Sequence, residues 1–226
     1  MKTLVLSGGV AHPYEATSRQ LAGILSSVGF EAIVTEDLDR LASARAGEFD
    51  LLVLNCVRWT CEQTPQWADE WRYPLTRDNR EGMLRHLNSG GGLLALHAAT
   101  ICFDDWPEYR NIIGARWEWG SSGHAPYGLH EMKIRRNHPL VQGIPDFVIS
   151  DELYTDPVFV EHVDPLITAE WNGEEHPIMW VKSYGGGRVC YCALGHDEKS
   201  FENEWFRRII RRASLWAAGL PTEDVR

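Results

Sequence analysis

Two histidines follow short apolar runs that open on glycine turns. One stretch is Gly90-Gly91-Gly92-Leu93-Leu94-Ala95-Leu96-His97; the other is Gly185-Gly186-Gly187-Arg188-Val189-Cys190-Tyr191-Cys192-Ala193-Leu194-Gly195-His196-Asp197. Ligands of open α/β sheets gather outside the carboxyl ends of the strands. An imidazole placed there, with an ordinary pKa near 6.5, takes a proton from carbon next to a ketone or gives one to a leaving oxygen. If both strands share one parallel sheet, His97 and His196 emerge at the same edge. Glu152 is the candidate acid–base counterpart, and His124, Tyr154, Trp117, Trp119 and Asp197 are candidates to hold a substrate. His97, His196, His124 and Glu152 also suit zinc or a similar divalent ion. No H-x-x-x-H or H-E-x-x-H helix is present, so such ligands would converge from separate loops, and His12, after the first strand, could join them. The plain alternative for His97 is a core histidine satisfied by backbone. His86, His130, His138, His162 and His176 read as structural or surface residues, with His138 setting a turn before Pro139.

The elements that must position these groups follow a β-α-β rhythm. Thr3–Leu6 reads as a first strand. A helix follows with Leu21, Ile24, Leu25 and Val28 at helical spacing, stopped by Gly29. Phe30–Thr35 is the second strand, and Leu51–Leu54 is a third of the kind that parallel sheets bury on both faces. The stretch 55–76, with Trp59, Trp67, Trp71 and Tyr73, is irregular and either walls a cleft or packs as a surface loop. A helix from Asp78 leads into the Gly90 turn. From Ile101 to Trp180 the rhythm changes, and this section reads as an antiparallel insertion over the sheet's active edge. Its aromatic residues Trp106, Trp117, Trp119 and Tyr127 suit flat binding platforms, with core packing as the plainer reading for any one of them. A last helix carries Phe206, Ile209, Ile210, Ala213, Trp216 and Ala217 on one face and stops at Gly219. The expectation is one α/β domain over 1–226 with a doubly wound, mostly parallel sheet.

Composition excludes several classes. The chain has 226 residues, 44% hydrophobic and 24% charged, so a core of useful size forms. A net charge of −10 argues against nucleic acid as the main partner. Arg207, Arg208, Arg211 and Arg212 read as one solvated helix face. No run approaches the length of a membrane span, and the first strand is too short for a signal peptide, so a cytoplasmic protein is expected. The five cysteines are odd in number and form no C-x-x-C pair, which fits free thiols. No G-x-G-x-x-G or G-K-[ST] loop supports nucleotide binding.

The order of motifs resembles the ThuA-like (trehalose utilisation) family. The matching stretches are Gly91–His97, Asn137-His138-Pro139-Leu140 with Gly143-Ile144, Asp151–Tyr154, Gly187–Val189 leading to Leu194–Asp197, and Trp216–Ala218. That resemblance implies a flavodoxin-like fold similar to the class I glutamine amidotransferases. It implies that His97 stands where those enzymes carry a cysteine and that His196 stands at their histidine. Without the thiol, glutamine hydrolysis through a thioester is not expected. The resemblance further implies a role with trehalose, related disaccharides or their 3-keto derivatives, the aromatic residues stacking on sugar faces, and a link to a sugar oxidoreductase of the Gfo/Idh type. Zinc or a similar divalent ion would polarise a keto sugar. A homo-oligomer stays open. The competing reading is a non-catalytic sugar-binding or partner-binding protein on a decayed amidotransferase fold.

Overall fold

The computed structural model describes residues 1–44 and 46–222; Arg45 and 223–226, which the 1–226 domain expectation includes, lie outside the described residues. The strands are β1 (Lys2–Gly8), β2 (Glu31–Thr35), β3 (Leu51–Cys56), β4 (Gly92–Leu96), β5 (Ala115–Arg116), β6 (Gly123–His124), β7 (Gly128–Ile134), β8 (Phe147–Asp151), β9 (Tyr154–Thr155), β10 (Val158–Phe159), β11 (Ile167–Trp171), β12 (Glu174–Tyr184) and β13 (Gly187–Cys192). The helices are α1 (Tyr14–Ser26), α2 (Asp39–Ser43), α3 (Ala68–Trp71), α4 (Arg77–Asn88), α5 (Pro107–Ile113), α6 (Glu198–Glu202) and α7 (Glu204–Ala217).

Nine strands form one sheet in the order β2-β1-β3-β4-β13-β12-β11-β7-β8. The first five in that order are mutually parallel. Their order is the flavodoxin-like 2-1-3-4-5 arrangement, with β13 in fifth place. Strands β3 and β4 are buried at every position, as their continuous apolar runs require once helices cover both faces. Helices α1, α6 and α7 pack together against the sheet, while α4 and α5 pack on β4, β12 and β13. Gly92 passes so close to the Ala217 backbone that a side chain there has no room.

The four remaining strands are antiparallel and continue the sheet laterally from β13. The insertion therefore lengthens the sheet, and the part that reaches over the carboxyl ends of the parallel strands is the small ribbon β6–β9. The physical reason is the long β12, which pairs with β13 from Met179↔Cys192 to Tyr184↔Gly187 and offers its other edge to β11. Helix α4 starts one residue before Asp78, because the Thr76 hydroxyl caps it at the Asn79 N–H.

The arginine face of α7 is not wholly solvated. Arg212 is buried and its Nη1 donates to the Gln142 carbonyl at 2.6 Å. Trp106 belongs to the core. Among the described residues no helix is long and apolar enough to cross a membrane.

Candidate functional site

The loop after β1 carries the first site residue across the end of β3. It turns on Gly8 and Gly9; at Gly9 φ is +126°, and a Cβ would meet the Val57 carbonyl oxygen at 2.5 Å. Ala11 also adopts a positive φ, of 69°. His12 follows, with Nδ1 3.2 Å from the Val10 carbonyl oxygen and 3.2 Å from the Tyr14 hydroxyl.

His97 ends β4 and opens a short 3-10 turn, His97–Thr100. Its φ is +44°, a left-handed conformation that non-glycine residues keep only where surroundings enforce it. Two contacts supply the enforcement. Its carbonyl accepts from the Tyr191 hydroxyl at 2.8 Å, and its Nδ1–H donates to the Ala193 carbonyl at 2.7 Å. The ring is only 2% exposed.

His196 follows β13 through Gly195, whose φ is +120°. The buried Asp151 at the end of β8 fixes this turn by accepting from the N–H groups of Gly195, His196 and Glu152. Glu152 is thereby brought to the two histidines. Its Oε2 lies 3.5 Å from His97 Nε2 and 3.3 Å from His196 Nδ1, and its Oε1 lies 3.0 Å from His124 Nδ1. The His97 and His196 ring centroids are 5.4 Å apart, and His12 stands 4.9 and 4.8 Å from them.

The electrostatics follow from this packing. Burial works against the Glu152 charge, but His196 and His97 outweigh it and hold the carboxyl well below the usual carboxylate range. Burial also opposes charge on His196, yet Glu152 wins and raises it above the ordinary imidazole value. His12 is pushed down to about 3, first by burial and then by His97, so it is neutral at physiological pH.

These groups meet beside a cavity of about 240 Å³ whose walls include Trp59, Trp67, Trp117, Trp119 and Tyr154, with His12, His124, Glu152 and His196 also lining it. Tyr154 is buried with its ring 4.2 Å from that of His97, and Trp117 lies 5.0 Å from Tyr154. Trp117 Nε1 is buried without a partner. His124 stands exposed at the rim. Asp197 does not line the cavity; its carboxylate caps α6 at the Lys199 N–H, 2.9 Å away. Tyr127 sits on the outer side of His196 at 5.3 Å between ring centroids. No cysteine lines this cavity, and all five are buried. A neighbouring cleft of about 290 Å³ shares Trp117 and Trp119 but none of these histidines.

The candidates read from sequence thus come together with the exception of Asp197. Asp151 and Tyr191, which hold the two turns, carry no sequence signal of that role. Trp59 and Trp67 show that the irregular stretch after β3 walls the cleft, while Tyr73 instead covers the guanidinium of buried Arg58, 4.1 Å away.

Comparison with known proteins agrees with this architecture. A ThuA-like protein from Parabacteroides merdae superposes with a TM-score of 0.79 at 22% identity, over 100% of this chain and 96% of that one. A ThuA-like protein from Bacteroides uniformis gives 0.70 at 18%, over 96% and 91%. A cytoplasmic protein from Salmonella typhimurium LT2 gives 0.67 at 14%, over 96% and 99%. Among curated proteins none matches the sequence. The family model described as trehalose utilisation matches residues 2–217, and the chain belongs to this ThuA family.

Proposed function

We propose that this protein is a cytoplasmic enzyme of carbohydrate metabolism that moves protons on a keto sugar, with the 3-keto derivatives of trehalose and related disaccharides as the substrate class. The observation that carries the reading is the meeting of His97, His196 and Glu152 beside an aromatic-walled cavity. Sugars offer apolar ring faces that stack on indole and polar edges that need partners. Trp117 and Trp119 offer the former, and the unpartnered Trp117 Nε1–H and exposed His124 offer the latter. The cavity suits one ring, and the cleft beyond Trp117 and Trp119 suits a second.

The chemistry this site supports is removal of a proton next to the ketone and departure of the glycosidic oxygen with a proton. The electron pair of the broken C–H bond becomes the new C=C bond, and the pair of the C–O bond leaves with the oxygen. No oxidant is consumed, so the keto group must already be present, and a sugar oxidoreductase is the partner that supplies it. Glu152 raises the proton affinity of His196, which fits His196 as the proton donor when no ion is bound. A glutaminase reaction is not part of this reading, because an imidazole occupies the elbow at position 97.

The test is product analysis by mass spectrometry with 3-keto-trehalose and trehalose. Cleavage of the keto sugar, lowered at least ~100-fold in His97→Ala and His196→Ala with circular dichroism unchanged, is the expected result. Sugar binding without consumption would instead establish the non-catalytic binding reading. Undiminished turnover in both variants would move the chemistry elsewhere.

A further inference from the structure

His12 and His97 bring their Nε2 atoms face to face beside Glu152 and His196. The Nδ1 of His97 lies 2.7 Å from the Ala193 carbonyl oxygen, and that of His12 lies 3.2 Å from the Val10 carbonyl oxygen. A carbonyl only accepts, so the Nδ1 of His97 carries the hydrogen and its neutral ring turns the lone pair of Nε2 outward; the Nδ1 of His12 also lies 3.2 Å from the Tyr14 hydroxyl, and it either donates to Val10 or accepts from Tyr14. Those two Nε2 atoms are 3.1 Å apart. With Nδ1–H on both rings two lone pairs face each other and a cation lies between them; with Nε2–H on His12 the two rings share that hydrogen.

The neighbouring atoms favour the cation. Glu152 Oε2 lies 3.5 Å from His97 Nε2, and His196 Nδ1 lies 3.3 Å from the same oxygen. Despite this proximity, His196 Nδ1 makes no well-formed hydrogen bond. One ligand atom from each of His12, His97, Glu152 and His196 lies within 4.8 Å of all the others. An ion with four tetrahedral bonds of about 2.0–2.1 Å holds its ligand atoms about 3.3–3.4 Å apart. The separations of 3.1, 3.5 and 3.3 Å are close to three of the six edges of such a tetrahedron, and the other three lie within 4.8 Å.

The geometry points to a divalent transition-metal site formed by His12, His97, Glu152 and His196. Three imidazoles and one carboxylate suit zinc and its first-row neighbours, and do not suit magnesium or calcium, which take oxygen ligands. The outer contacts fit as well. Ligating histidines commonly donate their other N–H to a carbonyl, as His97 does to Ala193 and as His12 is placed to do to Val10, and the second Glu152 oxygen has His124 Nδ1 3.0 Å away. His97 lies behind, while His12, Glu152 and His196 line the cavity, so an ion held by them is reachable by a ligand. Zinc accepts a fifth ligand in such sites. A second group, Asp156, Glu174 and His176, is two-thirds exposed and serves as the internal control.

This inference rests on the keto-sugar reading only for its use: an ion held by these four residues would supply positive charge beside the ketone oxygen, and His196, as its ligand, would then not be the proton donor. The test separates the two. The full chain, stripped with chelator and dialysed, is titrated with zinc chloride by calorimetry, and with cobalt(II) by visible absorption. Equimolar zinc uptake and the intense visible bands of low-coordinate cobalt are expected. His12→Gln, on a surface loop, and His97→Ala should each weaken zinc by more than ~100-fold, while Asp156→Asn leaves it unchanged. If His97→Ala fails to fold, His12→Gln carries the comparison. Lack of uptake by the folded native protein, or equal affinity in His12→Gln, overturns the site and leaves a proton shared between the imidazoles. Metal bound without keto-sugar turnover would remove the sugar reading and keep the site. Full turnover by metal-free protein would keep the sugar reading and remove the ion from its chemistry.

Discussion

The carboxylate of Asp151 holds the main chain of His196. Its Oδ1 accepts from the His196 N–H at 3.2 Å and its Oδ2 from the Gly195 N–H at 2.8 Å. The same Oδ1 accepts from the Glu152 N–H at 2.8 Å. One buried side chain thus joins the last antiparallel strand to the fifth parallel strand and sets His196 and Glu152 facing each other.

Replacing Asp151 with alanine leaves buried N–H groups without acceptors. The expected cost is about 1–3 kcal/mol of stability for such an orphaned group, read as a lower urea midpoint. His196 also loses its position, so kcat on the keto sugar falls further than KM rises. Asp151→Asn keeps one oxygen acceptor and should recover part of both losses. Equal kinetics in Asp151→Ala and the native protein would deny Asp151 its positioning role.

Tyr191 does the same for His97. Its hydroxyl donates to the His97 carbonyl at 2.8 Å, while its ring packs 4.4 Å from that of Trp180. Tyr191→Phe keeps the ring and removes only the donor, orphaning a carbonyl on a residue held at φ +44°. A loss of about 1–2 kcal/mol is expected. The elbow then relaxes, and zinc affinity should drop ~10-fold, as when an outer support of a ligand is removed. Calorimetric unfolding and zinc titration of the single variant check both, and an unchanged unfolding midpoint would reject the argument.

What the sequence makes legible is local, and what it hides is long-range. The runs Leu51–Leu54 and Leu93–Leu96 announce strands buried on both faces, and the strand-terminal places of His97 and His196 follow from them. The lateral extension of the sheet depends on β12 pairing on both edges, which no local pattern encodes. Asp151 looks like any aspartate beside a glutamate, because the turn it fixes lies 44 residues away and its partners there are backbone N–H groups. His12 reaches the site by a glycine loop whose path over β3 is set by contact with Val57. Arg212 sits among arginines that suggest solvent, and is spent on the Gln142 carbonyl instead.

His86 gives a prediction about acid stability that does not involve the site. It lies in the last turn of α4, buried, with Nε2 2.9 Å from the Gly92 carbonyl oxygen. Burial lowers its pKa below the ordinary value, against smaller raising effects from the Gly92 carbonyl and Asp50. The folded chain therefore binds fewer protons than the unfolded chain just below pH 6.5. Stability from this group is fully present above the unfolded value and is lost as pH falls below it. His12 and His138, also lowered, act in the same sense, and His196, raised, acts in the opposite one. His86→Gln keeps a donor for the Gly92 carbonyl and removes the titration. Urea midpoints between about pH 7.5 and about pH 5 should fall less steeply in that variant than in the native protein. Identical slopes would show that His86 binds protons equally in the folded and unfolded states, and would shift the acid sensitivity to the other buried histidines.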